Sequence, residues 1–141
     1  MDYLIDVAEE VGEPPDNGRA TQCKVHYSLV GSESGLIYGA THLSGPPKGE
    51  IVYNPWGCWN DEKRCFKGSM LFIWDIKREE VIFTSLLYPK EGCRAMALDE
   101  ERGRLYGITY PRDHFFSYDL KKKELINLGR IGSINSQVVF Q

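Results

Sequence analysis

Apolar positions in this chain come in short runs rich in Val, Ile, Leu, Phe and Tyr, separated by Gly, Ser, Lys, Asp and Glu, with almost no helical spacing. Eight of these runs read as strands: Lys24 to Val30, Leu36 to Thr41, Met70 to Ile76, Val81 to Leu87, Arg94 to Leu98, Arg104 to Thr109, His114 to Leu120 and Leu125 to Leu128. Tyr3 to Val11 is the one stretch with helical character. The match of Leu4-Ile5-Asp6-Val7 to Leu125-Ile126-Asn127-Leu128 assigns it to a strand instead, so little or no helix is expected.

The runs repeat. Gly-Leu-Ile-Tyr-Gly-Ala-Thr-His at 35–42 aligns without gaps on Gly-Arg-Leu-Tyr-Gly-Ile-Thr-Tyr at 103–110. Leu71 to Ile76 aligns on Phe115 to Leu120, each followed by a charged turn, Lys77 to Glu80 and Lys121 to Glu124. A four-stranded unit of roughly 40 to 45 residues is the size of a propeller blade. The expected fold is all-β: two four-stranded antiparallel β-propeller blades with a single strand at each end. Residues 1–22 form an outer strand and linker, 23–92 a blade with an insertion at 44–67, 93–132 a second blade, and 133–141 the inner strand of a further blade, centred on Ile134 to Phe140. A closed propeller takes about four to eight blades, so completion by self-association or by further sequence is expected.

Composition narrows the function classes. The 141 residues carry a net charge of −3 and no basic patch interleaved with aromatics, which gives no case for nucleic acid. The run Lys121-Lys122-Lys123 reads as a solvated turn. No apolar stretch of about 18 residues is present, so no membrane-spanning helix is expected. No secretory leader is visible, which assigns the chain to the cytoplasm if the sequence is complete. The four cysteines, Cys23, Cys58, Cys65 and Cys93, form no CxxC pair. Cys58 and Cys65 share a loop and could bridge across it; the plainer reading is four thiols in a reducing compartment.

The two units differ chiefly in that loop. From Gly35 to Asp75 the chain runs 40 positions, but from Gly103 to Asp119 only 16, so the first unit carries 24 more residues, roughly Ser44 to Lys67. Trp56 and Trp59 lie in it among Gly, Pro and Asn, a composition suited to stacking on a sugar or docking a partner.

Candidate chemistry gathers at one end of the strands. The first hairpin turns near Glu33-Ser34, which places His26 roughly opposite Thr41 or His42, at cross-strand distances of about 4.5 to 8 Å. The equivalent positions of the second unit are Arg94 and Tyr110. His114 starts a third strand near the same rim, and Asn135 would take the corresponding channel position of the last strand. Histidine and tyrosine exchange protons and arginine holds carboxylates, so His26, His42, Arg94 and Tyr110 are the catalytic candidates, and Trp56, Trp59, His114 and Asn135 the ligand-binding ones.

Lys-Val-His-Tyr-Ser-Leu-Val (24–30), Gly-Leu-Ile-Tyr-Gly-Ala-Thr-His (35–42), residues 98–111 and His-Phe-Phe-Ser-Tyr-Asp-Leu (114–120) resemble blades of bacterial and archaeal β-propeller repeat proteins whose units read LYG-x-T and YDL. The resemblance covers nearly the whole chain and implies the fold. Propeller-fold polysaccharide lyases are similar in placing His, Tyr and Arg at the channel mouth, a likeness of residue types and position.

Three functional readings follow. The first is a binding or assembly module that presents its rim and insertion to a carbohydrate or protein ligand. A second is a lyase or hydrolase of acidic glycans, with Tyr110 or a histidine moving the proton and Arg94 on the carboxylate. The third is a metal site on His26, His42 and His114, since imidazole suits Zn, Mn, Fe or Cu; no one metal or other cofactor is singled out. The first asks least of the sequence.

Overall fold

The computed structural model describes residues 5–51 and 58–132. Its strands are β1 (Lys24–Gly31), β2 (Leu36–His42), β3 (Gly68–Asp75), β4 (Glu80–Pro89), β5 (Gly92–Asp99), β6 (Arg104–Tyr110), β7 (His114–Asp119) and β8 (Glu124–Arg130). Strands β1–β4 and β5–β8 form two antiparallel meanders in which each strand pairs with the next. The meanders join where β1 and β5 run parallel, at Tyr27 and Ala95, giving a sheet of order β4-β3-β2-β1-β5-β6-β7-β8 that curls into a half-barrel. The fold is nearly all-β and consistent with propeller-like blades. The expected inner strand at 133–141, with Asn135, lies outside the described residues, as does Trp56.

The repeated motif has a packing reason. Gly39 lies opposite Phe72 and Gly107 opposite Phe116 across neighbouring strands, and each ring lies flat over its glycine. A Cβ on Gly39 would sit 2.0 Å from Phe72 Cζ, and one on Gly107 2.4 Å from Phe116 Cζ and 3.0 Å from the Ala95 carbonyl oxygen. Gly107→Ala is therefore expected to lower stability by about 1–3 kcal/mol through overpacking. Urea denaturation measures the loss, and Phe116→Leu in the same chain should recover part of it by vacating the space above the new methyl.

Phe72 and Phe116 are equivalent residues with different covers. Phe116 is fully buried in a core shared by both meanders, with Ala40, Leu71 and Leu87 from the first and Met96, Leu105 and Tyr118 from the second. Phe72 instead packs with Met70, Val25 and Val81 against Val7 and Val11. The second blade thus has the first as its neighbour, while the first has the N-terminal segment.

That segment corrects the sequence reading. Tyr3 to Val11 was expected as a strand, but Val7–Glu10 forms a helical turn, α1. The Asp6 carboxylate accepts hydrogen bonds from the Ala8 and Glu9 amides at 3.0 and 3.4 Å, and Glu9 and Glu10 complement the positive end of the turn. Val7 and Val11, four residues apart, then share the face laid on Met70 and Phe72. Asp6 followed three residues later by Glu9 is a capping signal that the alignment with the fourth strand did not take into account.

The charged turns are a second repeat. Asp75 accepts from the Lys77 and Arg78 amides, and Asp119 from those of Lys121 and Lys122. The aspartate after the aromatic of each third strand therefore sets the turn to the fourth. All four cysteines are free thiols, so Cys58 and Cys65 form no disulfide. The described part of the insertion is tied down. Cys58 and Phe66 pack on Ala20 and Leu43, the Ala20 amide donates to the Arg64 carbonyl at 2.9 Å, and Arg64 pairs with Glu50.

Candidate functional site

Irregular pairing at the ends of β1 and β5 builds the rim. Lys24 lies opposite His42 and Val25 opposite Thr41, after which β1 bulges until Leu29 meets Gly39. In the second blade Gly92 lies opposite Tyr110 and Cys93 opposite Thr109, and the bulge falls at Arg94 before Ala95 meets Ile108. Bulges bend a strand and re-aim its side chains, and here they carry His26 and Arg94.

Four of the sequence candidates come together. The His26 and His42 ring centroids are 5.3 Å apart, His42 and Tyr110 5.2 Å, and the Arg94 guanidinium lies 5.9 Å from the Tyr110 centroid. Gly92 makes the approach of the blades possible, since a Cβ there would lie 3.2 Å from His42 Cα and Cδ2. His42 is only 4% exposed. Its Nδ1 is 2.9 Å from the Leu43 carbonyl oxygen, which can only accept, so the proton sits on Nδ1 and Nε2 presents a bare lone pair. Nε2 is buried without a hydrogen-bond partner among the described residues.

The electrostatics keep both imidazoles neutral. Burial pushes the His42 pKa down to about 4, with the positive charges of Lys24 and Arg94 acting in the same direction and the Leu43 carbonyl opposing. His26 is exposed, and its pKa is also lowered, by desolvation first and then by Arg94 and Lys24.

Beneath the rim runs a polar layer that the sequence reading missed. In the first blade the Thr41 hydroxyl donates to Gln22 Oε1 at 2.6 Å and accepts from the Met70 amide at 2.8 Å. In the second, Thr109 donates to Glu91 and accepts from the His114 amide at 2.9 Å. Both threonines belong to the Tyr-Gly-x-Thr repeat, so the signal was present in the sequence. Glu91 is fully buried and also receives Arg112 Nε at 2.6 Å and His114 Nδ1 at 3.0 Å.

His114 is thereby committed elsewhere. It binds Glu91, stacks on Tyr88 with centroids 5.7 Å apart, and does not join His26 and His42. Among the described residues no trio of His, Cys, Asp or Glu is placed to hold a metal ion, so the three histidines do not form the expected metal group. Trp59 stands under the Arg112 guanidinium at 4.8 Å, which links the insertion to the second blade. No known family's residue pattern matches the chain, and no curated protein is detectably similar to it.

Proposed function

We propose that the chain is a binding module whose rim takes a hydroxyl-rich ligand bearing a carboxylate, of the acidic-sugar class. The observation that carries this reading is the bare Nε2 of His42. A buried acceptor without a donor costs about 1–3 kcal/mol, and a ligand hydroxyl is a donor that removes the cost. The His26 and Tyr110 rings pack 5.3 and 5.2 Å from the His42 ring, and the exposed His26 ring offers a flat surface suited to the face of a sugar. Arg94, held over Tyr110, brings a cation that can hold a carboxylate with two parallel hydrogen bonds.

Binding is favoured over catalysis by the same chemistry. A general base works best with a pKa near the operating pH, and His42 at about 4 is a weak base. Glycoside hydrolysis ordinarily uses two carboxyl groups across the scissile bond, and none of the four rim residues supplies one. Self-association belongs to the proposal as well. β4 and β8 are the two edges of the sheet, and Ile82, Leu86, Ile126 and Leu128 are exposed on them. Edges of this kind are commonly covered by further strands.

The test is titration with glucuronate, following the imidazole resonances of the three histidines. Saturable movement of His26 and His42 is expected, weakened about tenfold or more by Arg94→Gln, the loss of one charge-assisted contact. Unmoved His26 and His42 resonances would remove the proposal. Light scattering checks assembly, with a multiple of the chain mass expected; a folded monomer would sink that part alone.

A further inference from the structure

We propose that the chain has a second ligand site, independent of the rim, in which the cleft between β4, β7 and β8 binds a small oxyanion-bearing molecule. The cleft has a volume of about 470 Å³ and is lined by Tyr88, Lys90, Arg112, His114 and Asn127 over Leu125. That volume is within the range of small-molecule sites, roughly 300 to 1,000 Å³.

Arg112, His114 and Tyr88 are each held by a neighbouring side chain, and Arg112 and Tyr88 keep a donor that no neighbour uses. Glu91, fully buried, accepts from Arg112 Nε and from His114 Nδ1 and is ion-paired with Arg112 Nη2. It therefore orients both side chains: Arg112 Nη1 is a donor with no hydrogen-bond partner among the described residues, while His114, which donates from Nδ1, presents the Nε2 lone pair. The Tyr88 hydroxyl accepts from Asn127 Nδ2 at 2.9 Å, so its own proton is available to a ligand. Burial and the Glu91 charge push the Tyr88 pKa up to about 12, which keeps that proton in place. Lys90 pairs with Glu62 at 2.5 Å, but the Glu62 side chain is 75% exposed. Such surface pairs are weakly held, so the ammonium can turn to a ligand.

The nearby charges define the ligand. Glu91 is enclosed by Thr109, Arg112 and His114, and Glu62 extends into solvent. Arg112 Nη1, the Tyr88 hydroxyl and the Lys90 ammonium are therefore the groups the cleft offers, and a molecule rich in acceptor oxygens is their complement. Carboxylate, sulfate and phosphate share that property. The stacked Tyr88 and His114 rings form one wall, and the Arg112 guanidinium stands 4.8 Å over the Trp59 ring.

His114 reports on this cleft and His26 and His42 on the rim, so one imidazole NMR experiment separates the two sites. Inorganic phosphate and glucuronate are titrated separately. The expected result is saturable movement of His114 alone with phosphate, weakened about tenfold or more by the double variant Tyr88→Phe with Lys90→Gln. Neither substitution removes a contact to Glu91, and circular dichroism establishes that the variant is folded. Saturation by glucuronate but not phosphate identifies a carboxylate ligand, and by phosphate but not glucuronate a tetrahedral one. The proposal is overturned by no saturable movement of His114 with either probe at about 10 mM, the range of very weak binding. Binding undiminished in the double variant overturns it equally.

Discussion

Glu91→Ala is expected to lower the stability of the chain by about 3 kcal/mol, the lower end of what breaking a buried ion pair costs. Glu91 is fully buried and is the common acceptor for Thr109, Arg112 and His114. Truncation leaves the Thr109 hydroxyl and His114 Nδ1 without their acceptor in a site closed to water. The loss stays near the lower end because the Arg112 side chain is 42% exposed and can turn outward. Glu91→Gln should lose less, about 1–2 kcal/mol, since Gln22 already serves Thr41 in the first blade with a neutral amide. Urea unfolding of both variants measures this. An alanine variant within about 0.5 kcal/mol of the parent, the level of ordinary surface changes, would show that the network contributes no net stability.

The second expected result is a loss of stability between pH 6.5 and about 4 that originates in His42. Its folded-state pKa is held at about 4 against an ordinary value of 6.5. The unfolded chain therefore takes up the proton first, and unfolding is favoured as pH falls through this window. Above pH 6.5 both states are neutral at this position and the term vanishes. At about 1.4 kcal/mol per pKa unit, the full term is about 3 kcal/mol, reached near pH 4. His26 acts with the same sign. Replacing His42 by Phe, which keeps a flat ring against Tyr110, should flatten the window. Parent and variant unfolding curves that stay parallel from pH 7 to 4 would show that His42 is not held neutral by the fold.

Short apolar runs, the repeat that contains Gly39 and Gly107, and the charged turns after the third strands made the sheet legible from the sequence. These signals are local: a strand face, a glycine under a ring and a side chain capping its own turn each lie within a hairpin. The same locality made the approach of His26 and His42 readable, because both belong to the β1–β2 hairpin. Their association with Tyr110 and Arg94 followed from aligning the repeats.

Contacts between distant segments were not legible in this way. Glu91 sits in Pro89-Lys90-Glu91-Gly92, which reads as a polar turn, and nothing in that stretch announces that packing will bury the carboxylate under Thr109, Arg112 and His114. His114 was read with the other histidines because its strand begins near the same rim; a buried counter-charge drew it away. The helical turn at Val7–Glu10 was decided by the tertiary structure too. Its apolar pattern suited a strand as well as a helix, and the face of β3 at Met70 and Phe72 supplied the surface on which Val7 and Val11 could be buried together. The sequence by itself determined the strands and the turns, whose determinants are near neighbours along the chain, while bulges in β1 and β5 set the register at the rim, with Val25 rather than His26 opposite Thr41. Only the tertiary structure decided which polar groups lost their water, because desolvation depends on everything packed around a side chain.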